Sequence, residues 1–278
     1  MNPLVLLLGS FFVLIAFRVN IGFSLILSSV VVIIWEDLPI TSAINQMYSN
    51  TESFTLLAVP FFMFLGRILN AGSITDRLLT VADATVGHVR GGLGHVNVFV
   101  SMIFASLSGS AAADTASVGS ILIPAMKKAG YSPAFAVALT AASSTLGVII
   151  PPSIILIVYG AFGNVSIGAL FLGGIVPGIT IGLFMMGYTY VMAIREGYPA
   201  NPFPGIRALF KAIWRGAAAM MIPVFVLGGV VAGIFTPTEA AISAVIWALI
   251  LTFIVYRDVP LRELPSLLTQ ATMDFAVP

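Results

Sequence analysis

The chain has 278 residues, 59% of them apolar and only 8% charged, with a net charge of +1 and a mean hydropathy of +1.08. A soluble domain carries about a quarter of its residues as charges, so water is not the principal solvent here. The balanced charge, with no aromatic-interleaved basic patch, excludes a nucleic-acid partner. The absence of cysteine excludes a disulfide framework, a thiolate metal site and a thiol nucleophile.

A bilayer core of about 30 Å needs roughly 20 apolar residues per helix. In chain order, apolar runs predict helices over Pro3–Phe17 and Ile21–Trp35. The first lacks a basic flank and a small-residue cleavage site, so it reads as a retained membrane helix rather than a signal peptide. A third helix is predicted over Phe54–Asn70. His88 and His95 follow, flanking Arg90-Gly91-Gly92 in a predicted inner loop. Two histidines seven apart without carboxylates make a poor metal site, and loop packing is the expectation.

Between Arg90 and Lys127 lie 36 residues, too many for one span and too few for two with a turn. The centre of this stretch, SLSGSAAAD (Ser106 to Asp114), is small and polar. It leaves about 13 residues on each side, or roughly 20 Å per arm. The expectation is a re-entrant helical hairpin, about 96–126, with its tip inside the membrane. GVIIPPS (Gly147 to Ser153) then interrupts Tyr131–Phe162, because two prolines remove donors and push preceding residues out of helical geometry. That segment reads as a discontinuous span. Further helices are predicted over Ile167–Ile194, Gly216–Phe235 and Glu239–Tyr256, with Glu239 complementing a helix start after the turn Thr236 to Thr238.

Cytoplasmic loops carry excess Lys and Arg. With the N-terminus outside and the hairpin returning to its own side, all but one of the 12 basic residues fall inside, and Arg67 can snorkel from an inner helix end. Glu36, Asp37 and Glu52 fall outside. LPITSAINQM (Leu38 to Met47) is echoed by LPSLLTQATM (Leu264 to Met273), and each precedes an Ala-Val-Pro, at 58–60 and 276–278. The helices before the two copies cross in opposite directions, as inverted-topology repeats do. On this reading the sequence ends near the start of its second repeat.

Non-helical backbone persists in a membrane only where protein buries it or a cavity wets it. The tip offers the hydroxyls of Ser106, Ser108 and Ser110, Gly109 for close approach, and Asp114, which either serves a site or caps the returning half-helix. The break leaves carbonyls such as those of Gly147, Val148 and Ile150 short of partners. Neutral oxygens of this kind suit a monovalent cation such as Na⁺. Helix N-termini at the breaks suit a substrate carboxylate, with Ser106, Gly109, Asp114 and Ser153 as candidate contacts. Close packing of small residues and a simple proline kink are the bland alternatives.

VPFFMFLGRILNAGSITDRL (Val59 to Leu78), GHVRGGLGHVNV (Gly87 to Val98), SLSGSAAADTASVGSILIPAMKKAGY (Ser106 to Tyr131), AFAVALTAASSTLGVIIPPSIILIVYG (Ala134 to Gly160) and GIFTPTEAAISAVIWAL (Gly233 to Leu249) together resemble the large transmembrane subunit of tripartite ATP-independent periplasmic (TRAP) transporters, the DctM type. The resemblance covers nearly the whole chain. It implies an all-α polytopic membrane protein, an inverted-repeat elevator-type transporter with a re-entrant hairpin and a discontinuous helix. The implied division is scaffold helices at 1–70, transport-domain elements at 71–163, and connecting helices with the start of a second, incomplete repeat at 164–278. The implied activity is import of an organic acid across the bacterial inner membrane, with Na⁺ as coupling ion and no other cofactor. Implied partners are a periplasmic substrate-binding protein and a small transmembrane subunit, the latter facing Leu38–Met47 and Arg207–Arg215. Carried over by position, the first Na⁺ site uses Ser108, Ser110, Gly147, Ile150 and Pro152, and a second lies outside this sequence. Where the family often has Glu, this chain has Arg67.

Three rivals differ in what they require. Another secondary anion carrier with paired hairpins would need no binding protein. An intramembrane serine hydrolase would need a buried base beside Ser108 or Ser110, and both histidines are predicted in a loop before the hairpin. A non-transporting scaffold has no use for intramembrane breaks.

Overall fold

The computed structural model describes residues 2–276, and for Ser42, Gln46, Asn50, Thr51, residues 105–108 and Ala276 the backbone alone; Val277 and Pro278 of the second Ala-Val-Pro lie outside the described residues. Among the described residues the structure is helical, with no strand. It forms two compact units, Met1–Ser53 and Phe54–Pro278.

In the first unit, α1 (Pro3–Ala16) and α2 (Ile21–Trp35) form a helical hairpin. Asn2 and Asn20 cap them by accepting from Leu4 N at 3.0 Å and Gly22 N at 2.9 Å. The packing is inside out: Ser24 and Ser28 are buried, while Phe12, Phe23 and Leu4 are more than 60% exposed. A solvent of lipid explains this pattern, because small residues let helices approach and large apolar ones face the tails. At 14 and 15 residues these helices reach only about 21–23 Å, less than a full bilayer core. The polar α3 (Ile40–Thr51) follows.

The second unit begins with a 3₁₀ turn (Phe54–Leu57) running into α4 (Ala58–Ala71) and then α5 (Ile74–Val86). α6 (Gly92–Ser108) and α7 (Ala111–Lys128) are the hairpin arms; α8 (Pro133–Ser144) and α9 (Ile154–Gly163) are the halves of the broken helix. α10 (Ile167–Glu196), α11 (Ile206–Val231), α12 (Pro237–Leu249) and α13 (Leu264–Ala276) complete it. Four helical segments among the described residues are long and apolar enough to cross a membrane: Phe54–Ala71, Ile167–Glu196, Ile206–Val231 and Pro237–Tyr256.

The core is built on α4, whose Phe62, Leu65, Ile68 and Leu69 are essentially inaccessible. α12 lies against it through Ala240, Ala241, Ala244 and Ala248, small residues recurring on one face. α12 starts at Pro237, two residues before the predicted Glu239, because Thr236 caps it: Thr236 Oγ1 accepts from Glu239 N while Glu239 Oε2 accepts from Thr236 N at 2.8 Å. Its end is π-helical over Ile250–Tyr256, closed by Arg257 in the left-handed region. The Arg77 guanidinium lies 3.7 Å over the Tyr256 ring.

Two expectations shift. α11 starts ten residues before the predicted Gly216, because Arg207, Lys211 and Arg215 continue the helix and can lift their charges clear of its apolar face. His95 lies in the first turn of α6, 4% exposed, rather than in a loop. Its Nε2 lies 3.2 Å from the Arg90 carbonyl oxygen.

Candidate functional site

The small, polar SLSGSAAAD motif does not form a long non-helical tip. Helix runs through Ser108 and resumes at Ala111, leaving only Gly109 and Ser110 outside it. The arms are therefore 17 and 18 residues, about 26 Å, not the 13 expected. Ser and Ala tolerate helix well enough that polarity alone misplaces its ends. Gly109 turns the chain at φ +60°, where a side chain would be strained. Ser110, extended, caps α7 by accepting from Ala113 N at 3.4 Å. Capping thus falls to Ser110 and not to Asp114.

The second break follows a 3₁₀ turn, Thr145–Val148, and the Pro151–Pro152 pair. Ser153 restarts the helix: its Oγ accepts from Leu156 N at 3.4 Å and donates back to the Val148 carbonyl at 2.9 Å. Val148 is therefore satisfied, contrary to expectation. Ile149 and Ile150 N–H both donate to Leu146, and no group among the described residues donates to the Gly147 or Ile150 carbonyl.

The two breaks meet. A Cβ on Gly109 would stand 3.1 Å from Ile154 N and 3.2 Å from Pro152 O, and one on Gly147 would stand 3.3 Å from Ala111 N and Ser110 C. Each glycine lets one broken backbone rest directly on the other. The structure thus brings together Ser110, Gly147 and Pro152, with Gly109 and Ser153 at the same junction. Ile150 turns toward α10, where its Cγ1 occupies the space of a Gly178 side chain. Ser106 and Ser108 lie in the last turn of α6; their side chains are outside the described residues.

α10 supplies a feature not singled out in the sequence. Gly174, Gly178 and Gly182, four residues apart, receive Ile149 O, Ile150 and Met102, each within 2.5 Å of an added Cβ. The i, i+4 glycine spacing in a long apolar helix was the available signal. Beneath the junction, Asn97 donates to Thr140 Oγ1 at 2.7 Å and accepts from Ser143 at 3.1 Å, and Ser101 pairs with Ser143 at 3.1 Å. This buried set ties α6 to α8 and binds hairpin to broken helix. Asp114, wholly inaccessible, lies beside the Ser144 and Ser101 hydroxyls, yet neither carboxylate oxygen receives a hydrogen bond of regular geometry. Ser144 directs its proton to the Thr140 carbonyl at 2.9 Å.

On the α4 side of the hairpin, a cavity of about 730 Å³ opens between α4, α5, α7 and α13. Ser110 lines it; Gly109, Asp114 and Ser153 do not. Arg67 also lines it, held by Asp274 through Nε–Oδ2 at 2.5 Å and Nη2–Oδ1 at 2.7 Å.

Residues 8–277 match the family described as "Tripartite ATP-independent periplasmic transporter, DctM component". The chain belongs to this family. It is similar to the sialic acid TRAP transporter large permease SiaM of Vibrio cholerae, 39% identical over 258 residues, which are 92% of this chain and 60% of that protein. The C4-dicarboxylate TRAP transporter large permease DctM of Pseudomonas aeruginosa is 40% identical over 226 residues, 81% of this chain and 53% of that one. The 2,3-diketo-L-gulonate large permease YiaN of Escherichia coli is 37% identical over 264 residues, 95% and 62% respectively. The chain thus spans less than two thirds of each relative. For a DctM-family chain, the serine hydrolase reading has no support: His95 is 13 residues, or about 20 Å, along α6 from Ser108.

Proposed function

We propose that this chain is part of the large permease of a TRAP-type secondary transporter importing an organic acid, such as a C4-dicarboxylate or a sialic acid, across the inner membrane with Na⁺. The observation that carries this reading is the meeting of the two helix breaks. It gathers backbone carbonyls and hydroxyls where a membrane protein otherwise keeps every polar backbone group internally paired.

The Na⁺ ligands are Ser108, Ser110, Gly147, Ile150 and Pro152, with the free carbonyls of Gly147 and Ile150 contributing oxygens in place of water. The hairpin re-enters the membrane without crossing it, and moves with the broken helix as an elevator body, held together by the Asn97 hydrogen bonds. Ser106, Gly109, Asp114 and Ser153 form the substrate side of the junction, with Ser110 connecting it to the cavity. A periplasmic binding protein delivers the acid to a complex braced by a small membrane subunit, and the N-terminus lies in the periplasm.

Uptake by the full-length transporter in proteoliposomes tests this. Ser108→Ala with Ser110→Ala should weaken the Na⁺ dependence of uptake while membrane insertion is retained. Unchanged Na⁺ dependence removes the site assignment. Uptake at full rate without any binding protein would favour the other elevator-type anion carriers.

A further inference from the structure

The cavity beside the hairpin contains a cation that the junction does not explain. Arg67 sits on α4 one turn before Asn70, and both line the cavity opposite Ser117 and Ser120 of α7. The serine hydroxyls donate to carbonyls of their own helix, Ala113 O at 2.7 Å and Ser117 O at 2.8 Å. Strong donors therefore stand on the α4 wall. Asp274 engages Arg67 through Nε and Nη2, the side edge of the guanidinium. A guanidinium has five N–H donors in a planar fork. Two are taken, and the end edge, Nη1 with the second Nη2 hydrogen, stays intact for another bidentate acceptor. The side chain is 40% exposed and lines the cavity.

We propose that Arg67, oriented by Asp274, binds the carboxylate of the transported acid, with Asn70 as a neighbouring donor. Asp274 holds the plane of the guanidinium and leaves its second fork to the cargo. The site rests on the transporter reading above, and it lies on α4, outside the junction. Asp76 also lines the cavity, so one fixed cation faces two fixed acids. An organic anion is therefore accommodated best when a cation enters with it. A cavity of about 730 Å³ is ample for a C4 acid or a sugar acid.

Modification of arginine by phenylglyoxal, followed by mass spectrometry, tests the site on the full-length transporter in NaCl. The probes are succinate and N-acetylneuraminate, with neutral succinamide as control. At least one acid should slow modification of Arg67 several-fold, leave the exposed Arg195 unaffected, and be unmatched by succinamide. Arg67→Lys keeps the charge but loses the fork, and should weaken the acid's effect on thermal unfolding by about tenfold to a hundredfold in concentration. Arg67→Gln with Asp274→Asn removes both charges together, avoids an unpaired acid, and should abolish that effect while the protein still folds. If an acid raises the unfolding temperature without protecting Arg67, or if the double variant retains the rise, the site is overturned and the transporter reading stands. If neither acid protects Arg67, shifts unfolding or is taken up, both fail.

Discussion

Gly109 and Gly147 let the backbones of the two helix breaks rest on each other, and both are sensitive to a single methyl group. Gly109→Ala adds a left-handed residue and a contact 3.1 Å from Ile154 N. Gly147→Ala adds one 3.3 Å from Ala111 N. Each should cost about 1–3 kcal/mol, since the opposing atoms are backbone and cannot rotate away. Lower unfolding temperatures in detergent check this, and wild-type values would show that the breaks do not touch. Asn97→Ala should cost about 1–3 kcal/mol, near the lower end. Thr140 and Ser143 retain helix carbonyls at 2.8 and 3.1 Å as partners, which limits the loss. Denaturant titration reads it; a neutral substitution would show that Asn97 does not hold α6 to α8, leaving Ser101–Ser143 as their polar contact.

At the scale of elements, hydrophobic runs located most helices, and Ile21–Trp35 agrees at both ends. Boundaries failed where polar residues continue a helix: the small residues flanking Gly109, and Arg207 to Arg215 at the start of α11. Local polarity does not distinguish a loop from a helix whose polar face is buried or snorkels. The start of α12 was legible to within two residues because Glu239, following the turn at Thr236, acts locally. Thr236→Ala removes the cap and should cost about 0.5–2 kcal/mol, seen as a lowered unfolding temperature. No change would mean that packing of Ala240 and Ala244 alone fixes that end.

Across the whole molecule, both breaks were readable, the first from the length of the stretch between Arg90 and Lys127 and its small, polar centre, the second from Pro151-Pro152, which violates helix chemistry locally. Their meeting was not readable: Gly109 and Ile154 are far apart in sequence, and their contact depends on α6 packing against α8. The Arg67–Asp274 pair was equally hidden, joining α4 to α13 across most of the chain. The inside-out surface of α1 and α2 and the family match agree with a helical membrane protein.

Thermal unfolding of the full-length protein in detergent, in NaCl and in KCl at equal ionic strength, separates a Na⁺-binding junction from one that is only packed, since a ligand of the folded state stabilises it in proportion to ln(1 + [L]/Kd). A rise specific to Na⁺ that is lost in Ser108→Ala with Ser110→Ala is the expected result. Equal unfolding temperatures in the two salts would contradict a Na⁺ site where the hairpin tip rests on the broken helix.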